Sequence, residues 1–111
     1  MSDEFEKITS ISNPKIKFIK SLLLRKNRSN TGLFLAEGER TCREAILHGW
    51  LPKYVIFNVG RDKLSNIEDL LDKCIKNKGL LLNVSEKILS KITKKDNPQT
   101  VLAVFEKKKF V

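Results

Sequence analysis

The stretch Leu33-Phe34-Leu35-Ala36-Glu37-Gly38-Glu39-Arg40 holds a short apolar run bounded by Gly32 and Gly38. Four apolar residues between glycines suit a buried strand, and Gly38 then begins a helix. That helix carries Cys42, Ala45 and Ile46 on one side and meets its stop at Gly49. Strand, glycine and helix make half of a βαβ unit, and the pattern repeats downstream. Tyr54 to Phe57 reads as a strand. Ser65 with Glu68 three residues later is a capping box for a helix whose Ile67, Leu70, Leu71, Cys74 and Ile75 line one face before Gly79. Leu80 to Val84 reads as a third strand, and Ser85 caps a short helix with Ile88, Leu89 and Ile92. After the turn-like segment KKDNPQ, Val101 to Phe105 gives a fourth strand.

Upstream of Leu33, Asn13 caps and Pro14 opens a helix over 14–27. Its Ile16, Ile19, Leu22 and Leu23 form the core stripe, and RSNTG, residues 28–32, reads as a loop. The order α-β-α-β-α-β-α-β predicts right-handed crossovers in a three-layer α/β/α sandwich around a mostly parallel, four-stranded sheet. Strands buried on both faces read as continuous apolar runs, as LFLA, YVIF and VLAVF do. Residues 1–12 fall outside this pattern as an N-terminal extension, 13–106 form one domain, and 107–111 read as a tail or the start of a linker.

A chain of 111 residues with 41% hydrophobic and 32% charged residues is globular and of single-domain size. Its net charge of +9 attracts polyanions through counterion release, so nucleic acid is the first candidate partner and an anionic membrane surface the second. No apolar run approaches the roughly 20 residues of a membrane span, and the opening MSDEFEK lacks the basic, then apolar, pattern of a signal peptide. The expectation is a soluble, cytoplasmic protein without membrane contact.

The charge is unevenly spread. From Lys7 to Asn30 the basic residues are Lys7, Lys15, Lys17, Lys20, Arg25, Lys26 and Arg28, with no Asp or Glu among them, whereas Asp62, Glu68, Asp69 and Asp72 gather further on. A basic helix followed by Arg28 can track a phosphate backbone, and guanidinium groups can fork onto phosphates or stack on bases; the plainer alternative is a solvated lysine-rich helix. A second cluster, Lys87, Lys91, Lys94 and Lys95, has a weaker claim on its short helix. Trp50 and Tyr54 read as partly buried anchors rather than base-stacking platforms. His48 reads as a helix C-terminal residue, and Cys42 and Cys74 as reduced core thiols. No catalytic or nucleotide-binding motif, such as G-x-S-x-G, H-E-x-x-H, G-x-x-x-x-G-K-[ST] or G-x-G-x-x-G after a strand, is present. Glu37 and Glu39, two apart around a glycine, lack the opposed placement that acid/base work requires.

Taken in order, Ile11-Ser12-Asn13-Pro14-Lys15-Ile16-Lys17, Arg28, Phe34-Leu35-Ala36-Glu37-Gly38 and Glu44-Ala45 closely resemble the N-terminal substrate-binding domain of the SpoU (TrmH-like, SPOUT superfamily) RNA 2′-O-ribose methyltransferases. Val84-Ser85 before a helix and Asn97-Pro98-Gln99 before VLAVF agree, while Thr100 stands where the family often has glycine. The resemblance implies a fold like that of the ribosomal proteins that bind kink-turn RNA. It also implies presentation of rRNA or tRNA to a separate catalytic domain that binds S-adenosylmethionine and methylates a ribose 2′-hydroxyl. The Asn-x-Gly-x-x-x-Arg motif and glycine-rich cofactor loops of that domain are absent here, so no catalytic residue, metal or cofactor is assigned to this chain.

The expected RNA contacts are Lys15, Lys17 and Lys20 from the first helix, with Arg25, Lys26 and Arg28 continuing the track. Arg28 corresponds to the family's arginine upstream of the F-L-x-E-G run. Glu37 and Gly38 end a strand, where open α/β sheets place ligands, and Arg40 follows them in the next helix; Glu37 alternatively accepts hydrogen bonds from loop amides. The isolated domain is expected to be a monomer, with dimerisation left to the catalytic domain. Two other classes compete: a free-standing ribosomal-protein-like RNA-binding module, and a protein-interaction module docking on an acidic partner.

Overall fold

The computed structural model describes residues 5–60, 64–93 and 101–106. Its elements are β1 (Phe5–Ile8), α1 (Pro14–Ser21), α2 (Arg25–Thr31), β2 (Leu33–Glu37), α3 (Glu39–Leu47), β3 (Leu51–Phe57), a 3-10 turn (Leu64–Ile67), α4 (Glu68–Lys76), β4 (Leu80–Val84), α5 (Glu86–Thr93) and β5 (Val101–Glu106). The turn KKDNPQ, Thr100, Lys94, Lys95, Asp62 and the tail 107–111 lie outside the described residues.

Among the described residues the sheet has five strands in the order β1-β4-β3-β5-β2. Two features differ from the sequence expectation. The fifth strand is Phe5–Ile8, within the stretch read as an extension. It pairs parallel to β4, from Phe5 with Leu81 to Ile8 with Val84. The sheet is also mixed: β3 and β4 are parallel, but β5 runs antiparallel to both β3 and β2. The chain re-enters the sheet after α5 with Val101 opposite Phe57, at the carboxyl end of β3, so β5 must run back down. A strand buried on both faces is apolar throughout in either direction, so composition carries no sign of its polarity.

Successive side chains of a strand point to opposite faces, and that alternation builds two cores. On one face Val101, Ala103 and Phe105 join Val55, Phe57 and Leu81 beneath Cys42 and Ala45 of α3 and Leu70, Leu71 and Cys74 of α4. On the other, Leu102 and Val104 join Ile8, Ile56, Leu82 and Val84 beneath Ile16 and Ile19 of α1 and Ile88, Leu89 and Ile92 of α5. Phe57 and Phe105 are fully buried, each contributing about 2 to 3 kcal/mol of transfer free energy. Helices thus cover both faces, and the three-layer architecture stands.

Local side-chain capping explains two of the helix starts. Asn13 accepts the Lys15 amide at 2.8 Å with Pro14 in the first helical position, and Ser85 Oγ accepts the Ile88 amide at 3.2 Å. The single helix expected over 14–27 is instead two. Leu22, Leu23 and Leu24 close tight bonds to residues three back, Leu24 turns extended, and α2 begins at Arg25. The segment RSNTG, expected as a loop, is mostly the end of α2, stopped by Gly32. The Ser65–Glu68 capping box does not form: residues 64–67 make a 3-10 turn and Ile67 caps α4 without a side-chain bond. Ile75, expected on the core face, is 42% exposed.

Candidate nucleic-acid interface

β1 and β2 are the two edges of the sheet, and α1 and α2 carry the chain from one to the other. The basic residues of these helices therefore form a belt across one side of the molecule. Lys17, Arg25 and Lys26 are exposed, and Lys20 is half-buried. α5 packs beside α1 and adds exposed Lys87 and Lys91. The helices of this layer, α1, α2 and α5, hold eight basic residues and one acid, Glu86. The opposite layer, α3 and α4, holds Arg40, Arg43, Lys73 and Lys76 against Glu39, Glu44, Glu68, Asp69 and Asp72. Among the described helices, one layer is strongly cationic and the other close to neutral. Sequence spacing alone left the lysines of α5 apart from those of α1; packing unites them.

Two residues of the belt also hold the fold. Lys15 Nζ donates to both carboxylate oxygens of Glu6 at 2.7 and 2.8 Å, tying the start of α1 to β1. Arg28 Nη1 donates to the carbonyls of Leu22 (3.0 Å) and Leu23 (2.9 Å), and Asn27 Nδ2 to that of Ser21 (2.9 Å). These bonds satisfy carbonyls left open where α1 ends. Nη2 and Nε of Arg28 have no acceptor among the described residues and are further donors.

Glu37, Gly38 and Arg40 sit apart from the belt, where β2 passes into α3. Glu37 is half-buried at the strand end. Gly38 is buried at φ 93°, and its amide donates to Val101 O at 2.7 Å. Its positive φ is one that glycine adopts without strain, and the amide bond ties the end of β2 to β5. Arg40 is 93% exposed, loosely paired with Glu44 at 3.5 Å. Trp50 packs edge-on against Phe34 at 4.7 Å and Tyr54 lies against Phe18 at 6.1 Å, both half-buried as anchors. His48 caps α3, its Nδ1 2.8 Å from Glu44 O. Cys42 and Cys74 are free, buried thiols, each pushed up to about 12 by burial, with Lys53 weakly opposing at Cys74. A cleft of 760 Å³ between α3 and α4 is mixed in charge, lined by the acids Glu39, Glu68 and Asp69 and the bases Arg43 and Lys73. Among the described residues no group of His, Cys, Asp or Glu is placed to hold a metal, and no helix is long and apolar enough to cross a membrane.

Residues 13–103 match the family described as the MRM3-like substrate binding domain. The fold superimposes on an rRNA methyltransferase from Sinorhizobium meliloti with a TM-score of 0.82 and 34% identity, over 96% of this chain and 39% of that one. It superimposes on an RNA 2′-O ribose methyltransferase with a TM-score of 0.76 and 29% identity, again over 96% and 39%. The SpoU methyltransferase AviRb from Streptomyces viridochromogenes, at 24% identity and a TM-score of 0.71 over 87% and 36%, shares the fold. The chain spans about two fifths of the length of the first two structures. No curated protein matches the sequence.

Proposed function

Because the chain belongs to the MRM3-like substrate-binding domain family, we propose that it presents ribosomal or transfer RNA to a separate S-adenosylmethionine-dependent ribose 2′-O-methyltransferase domain. The observation that carries this reading is the partition of charge between the two helical layers. Lys17, Lys20, Arg25 and Lys26, joined by Lys87 and Lys91, form the phosphate-binding belt. Lys15 and Arg28 serve it with part of their charge while bracing α1. Phosphate contacts of this kind fix the position of an RNA without reading its sequence. Glu37, Gly38 and Arg40 form a second contact at the end of β2, with Gly38 setting the backbone and Arg40 reaching the RNA.

Methyl transfer and cofactor binding belong to a region outside these residues, since the sequence carries neither the Asn-x-Gly-x-x-x-Arg motif nor a glycine-rich cofactor loop. The 111-residue chain is a monomer in this reading, and light scattering showing a tight dimer contradicts that. The RNA contact is tested by fluorescence anisotropy with ribosomal RNA fragments at several salt concentrations. Each phosphate contact on single-stranded RNA contributes a log–log slope of about −0.7. Lys17→Ala is expected to flatten the wild-type slope by about that amount; no binding by wild type, or an unchanged slope, refutes the proposal.

A further inference from the structure

The carboxyl ends of β1, β4 and β3 enclose a second, smaller pocket of 310 Å³. Its polar walls are Lys7, Thr9, Asn58, Asn83 and Ser85, with Gly60 beside them, and among the described residues no carboxylate lines it. Strand pairing sets Lys7 beside Asn83 and Asn83 beside Phe57, so a cationic and an amide side chain share one face of the sheet. Asn83 is a polar residue between the buried Leu82 and Val84 of an otherwise apolar strand.

Hydrogen bonds hold these walls before any ligand arrives. Asn83 Oδ1 accepts the Val59 amide at 3.1 Å, and Asn58 Nδ2 donates to Val84 O at 2.7 Å, linking the chain after β3 to the end of β4. The Oδ1 of Asn83 is thereby engaged, while its Nδ2 donors have no acceptor among the described residues. Lys7 is exposed, and neither it nor the Thr9 hydroxyl has a hydrogen bond or ion pair among the described residues. Ser85 Oγ accepts the Ile88 amide and keeps its own proton to donate. The free groups are an ammonium, an amide NH₂ and two hydroxyls, which is a donor-rich set suited to an anion with many acceptor oxygens. Open α/β sheets bind ligands at carboxyl strand ends, and a volume of 310 Å³ sits at the small end of ligand pockets, enough for one nucleotide.

We propose that this pocket binds a single phosphorylated nucleotide unit of the RNA, with Lys7 and Asn83 Nδ2 as donors to its phosphate. The inference rests on the RNA-presenting function above and adds a site that the helical belt does not include. It is tested by ¹H–¹⁵N NMR titration of the full chain with uridine 5′-monophosphate, with uridine as control. Asn83→Asp is the informative variant, because it keeps the acceptor for the Val59 amide and replaces the amide donors with an oxygen that repels phosphate. Lys7→Gln, on an exposed side chain, is the second.

The expected result is saturable shifts at the amides of Thr9, Gly60, Asn83 and Ser85 with the monophosphate, weaker shifts with uridine, and at least tenfold weaker binding in both variants. An absence of saturable shifts at these amides, or variants that bind as wild type does, overturns the pocket. If that happens while ribosomal RNA still binds in a Lys17-dependent way, the pocket fails and the belt stands. If the monophosphate binds but ribosomal RNA does not, the pocket is a site for a free nucleotide, and its assignment to RNA fails with the presenting function.

Discussion

Gly79 enters β4 directly after Lys78, which holds a left-handed φ of 59°. A Cβ at Gly79 would lie 2.6 Å from both the Cys74 Sγ and the Lys53 carbonyl oxygen. The second contact is to the backbone of β3 at its register irregularity, between Pro52 and Tyr54, which are both paired to β5. Gly79→Ala is expected to cost about 2 kcal/mol, within the usual range for overpacking. The corresponding fall in Tm by circular dichroism is on the order of 10 °C; an unchanged Tm would show that the strand yields cheaply. The two core thiols give a different signature. Unfolded cysteines ionise near 9, whereas buried Cys42 and Cys74 are held up to about 12, so above pH 9 the unfolded chain releases protons that the native one keeps. The thiols therefore support folding fully below pH 9 and lose that support as pH rises towards 12, so the urea midpoint is expected to fall between pH 8 and pH 10. Neither thiol is expected to react with an aromatic disulfide reagent at pH 8 until the protein is unfolded. Rapid labelling of the native protein would contradict the burial.

At the scale of elements, the break between α1 and α2 is held by side chains rather than by glycine or proline. Arg28 spans it with two hydrogen bonds from one nitrogen. Arg28→Ala is expected to lose about 1 to 2 kcal/mol of stability in urea unfolding, because charged donors to open helix carbonyls are among the stronger hydrogen bonds. Lys17→Ala, on an exposed side chain, is expected to stay within about 0.5 kcal/mol of wild type. Equal stability of the two variants would remove the bracing role. The break escaped sequence reading because its capping donors lie five and six residues downstream in a run that otherwise fits a helix. The helix starts at Asn13-Pro14 and Ser85 were legible because their capping groups are local. The edge strand Phe5–Ile8 was not, since FEKI is only four residues long and half charged. The capping box at Ser65 shows the opposite failure, a local signal overridden when the chain took a 3-10 turn before α4.

For the whole molecule, alternating apolar runs and helical stripes were enough to reveal layered α/β architecture, because both cores depend on them. The direction of β5 was not legible, since it depends on which end of the sheet the chain re-enters. The candidate interface was legible in part. The acid-free run from Lys7 to Asn30 marked the belt, but only the packing of α5 against α1 adds Lys87 and Lys91 and sets them opposite the mixed charges of α3 and α4. The central claim is that RNA binds to the α1, α2 and α5 side. Its most direct test is the salt dependence of binding to ribosomal RNA fragments for two double variants, Lys17→Ala with Lys87→Ala on one layer and Lys73→Ala with Lys76→Ala on the other. Both remove the same charge, so an effect of net charge alone would be equal in the two. The first pair is expected to flatten the log–log slope by about 1.4, two contacts' worth on single-stranded RNA, while the second leaves it unchanged. Equal flattening by both pairs, or none by the first, would contradict the account.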